Sequence, residues 1–101
     1  MIKHTVILRL NRPTDPATTE GVIAQLREFG AEPPFAEGPA TILVDLGLRP
    51  EGRSVSEVGM EVHFADAEAF ASYLAAEKHV ALVNDVLLPN CESWLSVQNE
   101  V

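Results

Sequence analysis

Residues 57–80, EVGMEVHFADAEAFASYLAAEKHV, change their hydrophobic period part-way along, and the fold turns on that change. From 57 to 64 the period is two: Val58, Met60, Val62 and Phe64 share one face, and Glu57, Gly59, Glu61 and His63 the other. That predicts a strand with one dry and one polar face. Asp66 then offers an N-cap, Glu68 sets a negative charge in the first turn where the helix dipole favours it, and Phe70 and Leu74 form an i, i+4 apolar pair. Val80, Val83 and Leu87 keep helical spacing until Pro89 ends it. Within this helix SYLAAEKHV (72–80) sets Tyr73 six residues before His79. At about 100° per residue the two side chains stand roughly 120° apart around an unbroken helix and share no face. They converge only if the chain breaks or kinks between Ala75 and His79.

Residues 2–10 (IKHTVILRL) also alternate, with Ile2, His4, Val6, Leu8 and Leu10 on one side and Lys3, Thr5, Ile7 and Arg9 on the other, which predicts a strand. Asp15 as N-cap and Pro16 at the first helical position open a helix over 16–29, with Val22, Ile23, Leu26 and Phe29 at helical spacing and Gly30 as its stop. Three prolines and a glycine make 31–39 a loop. Residues 41–48 (TILVDLGL) read as a strand joined to 57–64 by a hairpin turn at Pro50-Glu51-Gly52. Residues 93–97 (SWLSV) read as a short last strand, with Cys91 in the loop before it.

The order β-α-β-β-α-β is packed most economically as one α+β domain spanning 1–101, a ferredoxin-like antiparallel sheet with the helices on one face. The other face carries Ile7, Leu43 and, on this reading, Trp94, more apolar than a free surface requires. Pairing two such faces predicts a homodimer through the open sheet face, with a shared barrel-like interior.

A net charge of −8 repels phosphate backbones and anionic bilayers, so neither nucleic acid nor membrane is an expected partner. Apolar residues at 47% and charged residues at 22% belong to a folded globular chain rather than a disordered one. The single cysteine, Cys91, can form no intrachain disulfide, and the apolar run near the start is too short for a signal-peptide core. A cytoplasmic location is therefore expected. No Cys/His spacing of the zinc type occurs, and the six glycines form no phosphate-cradling loop, so no metal or nucleotide cofactor is expected.

The opening MIKHTVILRL (1–10), the segment FADAEAFASYLAAEKHV (64–80) and the late strand after Pro89 resemble the stress-responsive dimeric α+β barrel family, Dabb, from Met1 to about Val97. Lys3-His4 opening the first strand, Phe64 with Asp66 before the second helix, and Tyr73 followed by His79 carry the likeness. It implies a ferredoxin-like monomer that pairs into a barrel dimer. Some members of the family are stress-induced proteins. Others resemble plant polyketide cyclases, in which a tyrosine and a histidine in the cavity between sheet and helices act as an acid–base pair. Tyr73 and His79 match that pair by position, and His4 matches a histidine lining the same cavity. Where the cyclase-like cavity has a further polar residue early in the third strand, this chain has Val58, which implies a drier wall.

The chemistry of the side chains fits those positions. Imidazole titrates near neutrality, so His79 could take and return a proton while the Tyr73 phenol holds a developing enolate oxygen and His4 orients the ligand. Val6, Leu8, Val58 and Met60 would supply apolar walls for a small organic ligand. Each polar group also has a purely structural reading: His79 capping carbonyls at a helix break, Tyr73 packing its ring, and His4 as a neutral core residue with one partner. His63 lies on the opposite strand face from His4, away from this group. Three functions stay open. One is cofactor-free acid–base chemistry of the cyclase or isomerase type on a carbonyl compound. The second is a non-catalytic stress-response or binding module, and the third a cofactor-independent monooxygenase-like protein.

Overall fold

The computed structural model describes residues 1–48 and 57–101. Strands β1 (Ile2–Leu10), β2 (Thr41–Val44), β3 (Glu57–Phe64) and β4 (Cys91–Glu100) form one antiparallel sheet in the order β2-β3-β1-β4. Helix α1 (Pro16–Ala31) links β1 to β2; α2 (Ala67–Ala75) and α3 (Glu77–Leu82) follow β3. A wide π-type turn (Val83–Leu87) and a last helical turn (Leu88–Asn90) lead into β4. The result is the ferredoxin-like α+β fold. The hairpin turn expected at Pro50-Glu51-Gly52 lies outside the described residues.

The register joins the dry faces of the two central strands: His4 lies opposite Val62, Val6 opposite Met60 and Leu8 opposite Val58. Leu8, Leu10, Val62 and Phe64 are almost completely buried, and Val22, Leu26 and Phe29 of α1 close over them. Each such side chain contributes about 1.5–3 kcal/mol by leaving water. Both helix starts are fixed as the sequence indicates. Asp15 Oδ1 accepts the Thr18 N–H at 2.7 Å, and Asp66 Oδ1 accepts the Ala69 N–H at 2.8 Å.

Several boundaries differ from the sequence reading. Helix α1 runs through Gly30, whose φ is not left-handed. A Cβ on Gly30 would stand 3.1 Å from Ala40 Cβ and 3.2 Å from Ile42 Cδ1, so this glycine serves the close approach of α1 to β2 rather than a helix stop. Strand β2 ends at Val44 instead of residue 48: Asp45 Oδ1 captures the Gly47 N–H at 2.8 Å, and Gly47 adopts φ 70°. Past α2, the buried side chains are Leu82, Val86 and Leu87, while Val80 is 44% exposed. The helical interruption and the extra residue per turn of the π-type segment shift the apolar stripe.

Strand β4 is twice the expected length, pairing with β1 from Leu10↔Cys91 to Ile2↔Glu100. Cys91 is thus a buried strand residue and not part of a loop. Trp94 pairs with Leu8, which puts it on the helix side of the sheet, not on the open face. The apolar row across the open face is Leu43, Gly59, Ile7 and Leu95, each opposite the next. Leu95 is 71% exposed. Ion pairs Lys3–Glu61 at 3.6 Å and Arg9–Glu57 at 3.5 Å flank this row.

At Gly59 an added Cβ would lie 2.9 Å from Ile7 Cδ1, 3.0 Å from the Val6 carbonyl oxygen and 3.2 Å from Leu43 Cβ. Gly21, inside α1, has nothing within 4 Å. Equilibrium denaturation should therefore separate two identical changes. Gly59→Ala is expected to destabilise by about 1–3 kcal/mol through overpacking. Gly21→Ala is expected to stabilise by about 0.4–1 kcal/mol.

Candidate functional site

The helix does break. Helix α2 ends at Ala75, Ala76 is extended at φ −65° and ψ 140°, and α3 restarts at Glu77. The junction is held by Ala76 N–H donating to the Tyr73 carbonyl at 3.2 Å and Val80 N–H donating to the Ala76 carbonyl at 3.0 Å. It turns His79 back onto Tyr73, with ring centroids 4.6 Å apart and planes at 51°. His79 Nδ1 lies 3.1 Å from the Leu74 carbonyl oxygen. A carbonyl only accepts, so in the neutral ring the proton is on Nδ1 and the lone pair on Nε2. One imidazole thus caps the interrupted helix and keeps a basic nitrogen unengaged among the described residues.

Tyr73 is 1% exposed and ringed by Phe64 at 4.8 Å, Phe29 at 6.0 Å and Phe70 at 6.2 Å between centroids. Its hydroxyl has no hydrogen-bond partner among the described residues. Such an unmet buried group costs about 1–3 kcal/mol. Burial pushes the phenol pKa up, so Tyr73 stays a hydrogen-bond donor at any physiological pH. His4, 5% exposed, lies 5.9 Å from Tyr73 and 5.0 Å from Phe70 between ring centroids. Its Nδ1 is 2.9 Å from Gln98 Nε2. Burial lowers the pKa of His4, and the nearby His79 lowers it further. Burial also lowers that of His79, against the opposing hydrogen bond to Leu74. Both imidazoles are neutral near pH 7.

These groups share one cavity of about 130 Å³ over the β1–β4 half of the sheet. An apolar cavity of roughly 150 Å³ admits benzene, so the space suits a ligand of about one ring. Val6, Leu8 and Met60 wall it from the sheet, and polar atoms come from His4, Tyr73, His79 and Ser96. Val58 does not reach it. That residue is 3% exposed on β3 between Leu8 and Val44, where the core is closed. Leu74 and Trp94, 44% and 39% exposed, frame the side that meets solvent.

Sequence reasoning missed Trp94, Ser96 and Gln98, which lie at alternate positions of β4, paired with Leu8, Val6 and His4 on the same face of the sheet. The alternation was there to read, but ending the strand at 97 and turning Trp94 outward hid it. His63 is partly exposed and pairs with Lys3 on the open face, on the other side of the sheet from the cavity. Burial raises the thiol pKa of Cys91, which disfavours a nucleophilic role. Among the described residues no three His, Cys, Asp or Glu side chains gather as a metal site, and no helix is long and apolar enough to cross a membrane.

Sheet order, helix placement and cavity define a ferredoxin-like α+β protein with a cavity between its layers. The family model of the stress-responsive A/B barrel domain, Dabb, matches residues 2–101, and the chain belongs to that family. Solved structures agree in fold. A dimeric ferredoxin-like protein of unknown function from Thermobifida fusca has a TM-score of 0.79 at 23% identity, covering 99% of this chain and 90% of its own. A Dabb family protein from Mesorhizobium loti has a TM-score of 0.78 at 20% identity, covering 99% and 95%. A cofactor-independent oxygenase from Streptomyces nogalater has a TM-score of 0.67 at 17% identity, covering 99% and 91%. No curated protein matches the sequence.

The two lowered histidine pKa values make folding pH-dependent in a defined direction. Above the ordinary value of 6.5 neither state binds a proton and the stability is complete. As pH falls below it, the unfolded chain takes up protons that the buried rings refuse, so stability drops until the folded pKa values are passed. Denaturation between pH 7 and 5.5 should show this loss at up to about 1.4 kcal/mol per pH unit per ring, and His4→Phe should reduce the slope.

Proposed function

We propose that the protein is a homodimer in which each protomer holds a small organic ligand between sheet and helices and carries out cofactor-free proton transfer on a carbonyl compound, of the cyclase or isomerase type. One observation carries the reading: the Tyr73 hydroxyl is buried in an apolar cavity without an acceptor among the described residues, beside an imidazole with a free basic nitrogen. A ligand carbonyl satisfies that hydroxyl. His79 Nε2 then removes the proton on the adjacent carbon, and the C–H electron pair moves toward the carbonyl oxygen. Tyr73 donates to the resulting enolate oxygen, and the proton returns from His79 to another ligand atom. The neutral state of His79 near pH 7 suits a base that must accept a proton and release it.

The partly exposed apolar row of Ile7, Leu43 and Leu95 supports the homodimer through the open sheet face, closing two sheets into a barrel, as does the likeness to dimeric ferredoxin-like proteins. The buried free thiol of Cys91 suits a reducing cytoplasm. A second reading is a non-catalytic binding or stress-response module; the His79–Leu74 hydrogen bond favours it, because it gives the imidazole a structural task. The fold shared with a cofactor-independent oxygenase supports a third, monooxygenase-like reading in which the same base activates the substrate carbon.

Thermal denaturation against small cyclic ketones and phenols should find stabilising ligands, and exchange of ketone α-protons in D₂O should detect turnover. His79→Ala should abolish that exchange while lowering stability by only about 1 kcal/mol, the usual net worth of one hydrogen bond. A far larger loss of stability with no ligand found would favour the structural module. For the dimer, Leu95→Lys should leave a folded monomer in light scattering, because a charge cannot be buried within the apolar face without a partner.

A further inference from the structure

The cavity holds a second imidazole whose orientation the Tyr73–His79 pair does not explain. His4 is 5% exposed and makes one polar side-chain contact, Gln98 Nε2 at 2.9 Å from its Nδ1. The same amide nitrogen lies 3.3 Å from Ser96 Oγ, so the two contacts use both amide hydrogens. An amide N–H₂ only donates. His4 Nδ1 therefore accepts, and the proton of the neutral ring sits on Nε2. That N–H has no acceptor among the described residues, although its ring lines the cavity and lies 5.9 Å from the Tyr73 ring.

We infer that Gln98 is a positioning residue that holds His4 with its proton on Nε2, so that His4 Nε2–H joins Tyr73 O–H as a donor opposite the acceptor His79 Nε2, with the Ser96 hydroxyl also on the cavity wall. The inference rests on the proposed function and narrows its substrate class. The ligand is a compact, uncharged, mostly apolar carbonyl compound of about one ring, whose oxygen takes two hydrogen bonds while an adjacent acidic C–H meets the base. Two donors on one oxygen favour the enolate over the ketone, because the anion is the stronger acceptor. Electrons and protons balance within the ligand and His79: the C–H bond breaks, Nε2–H forms, the oxygen gains the charge, and reprotonation from Nε2–H restores the base. A carboxylate ligand does not fit, since no Lys or Arg lines the cavity among the described residues.

The two histidines should then be opposite tautomers, His4 protonated on Nε2 and His79 on Nδ1. Long-range ¹H–¹⁵N correlation spectra of the labelled wild-type protein, recorded at about pH 8 where both rings are neutral, read this directly. Gln98→Glu replaces a donor by an acceptor. It should move the His4 proton to Nδ1 and weaken the binding of phenol, used as the probe, roughly tenfold. Wild-type His4 protonated on Nδ1, or phenol affinity unmoved in a Gln98→Glu protein whose tautomer has switched, overturns the role of Gln98 and leaves the Tyr73–His79 reading standing. Phenol binding indifferent to Tyr73→Phe and to His79→Ala overturns that reading itself. The wild-type spectrum decides the tautomer even if the variant fails to fold.

Discussion

A single extended residue, Ala76, is the constraint on which the site depends. Its ψ of 140° stops one helix and starts another, and the Leu74 carbonyl left at the break is taken by His79 Nδ1 at 3.1 Å. That hydrogen bond closes the break and fixes the tautomer in the same contact. A continuous helix would have kept Tyr73 and His79 on different sides, roughly 120° apart. Interrupted, it brings their rings to 4.6 Å and aims both at the space above β1 and β4.

The sheet supplies the other half of the architecture by giving its two faces different tasks. The helix side carries the core on its β3 half and the cavity mainly on its β1–β4 half; of the β3 side chains, Met60 reaches the cavity wall and Val58 does not. The open side is smoothed at its centre by Gly59, over which Ile7 and Leu43 meet, and is bordered by two partly exposed ion pairs. Such pairs add little stability by themselves, so in the proposed dimer the apolar centre would drive association and the charged border would register it.

Much of this was legible because several local signals agreed. Strict alternation set the faces of β1 and β3, aspartates at 15 and 66 marked both helix starts, and the spacing of Tyr73 and His79 made their convergence conditional on a break between Ala75 and His79. What was not legible depends on contacts distant in sequence. Gly30 looks like a helix stop until Ala40 and Ile42 are seen packed against it. Strand β4 is held by its ladder to β1 rather than by its own hydrophobicity, so its length, the inward side of Trp94 and the reach of Gln98 to His4 emerge only from the register. A helix break and a π-type turn are likewise invisible to a search for 3.6-residue spacing, and together they move burial from Val80 to Leu82 and Val86.

The most direct test of the account is a crystal structure of the protein soaked with phenol. Its oxygen is expected within about 2.6–3.2 Å of both Tyr73 Oη and His79 Nε2, with the ring against Val6 and Leu8. Density for phenol elsewhere, or a cavity that stays empty at saturating concentration, would contradict the claim that the broken helix builds a binding site.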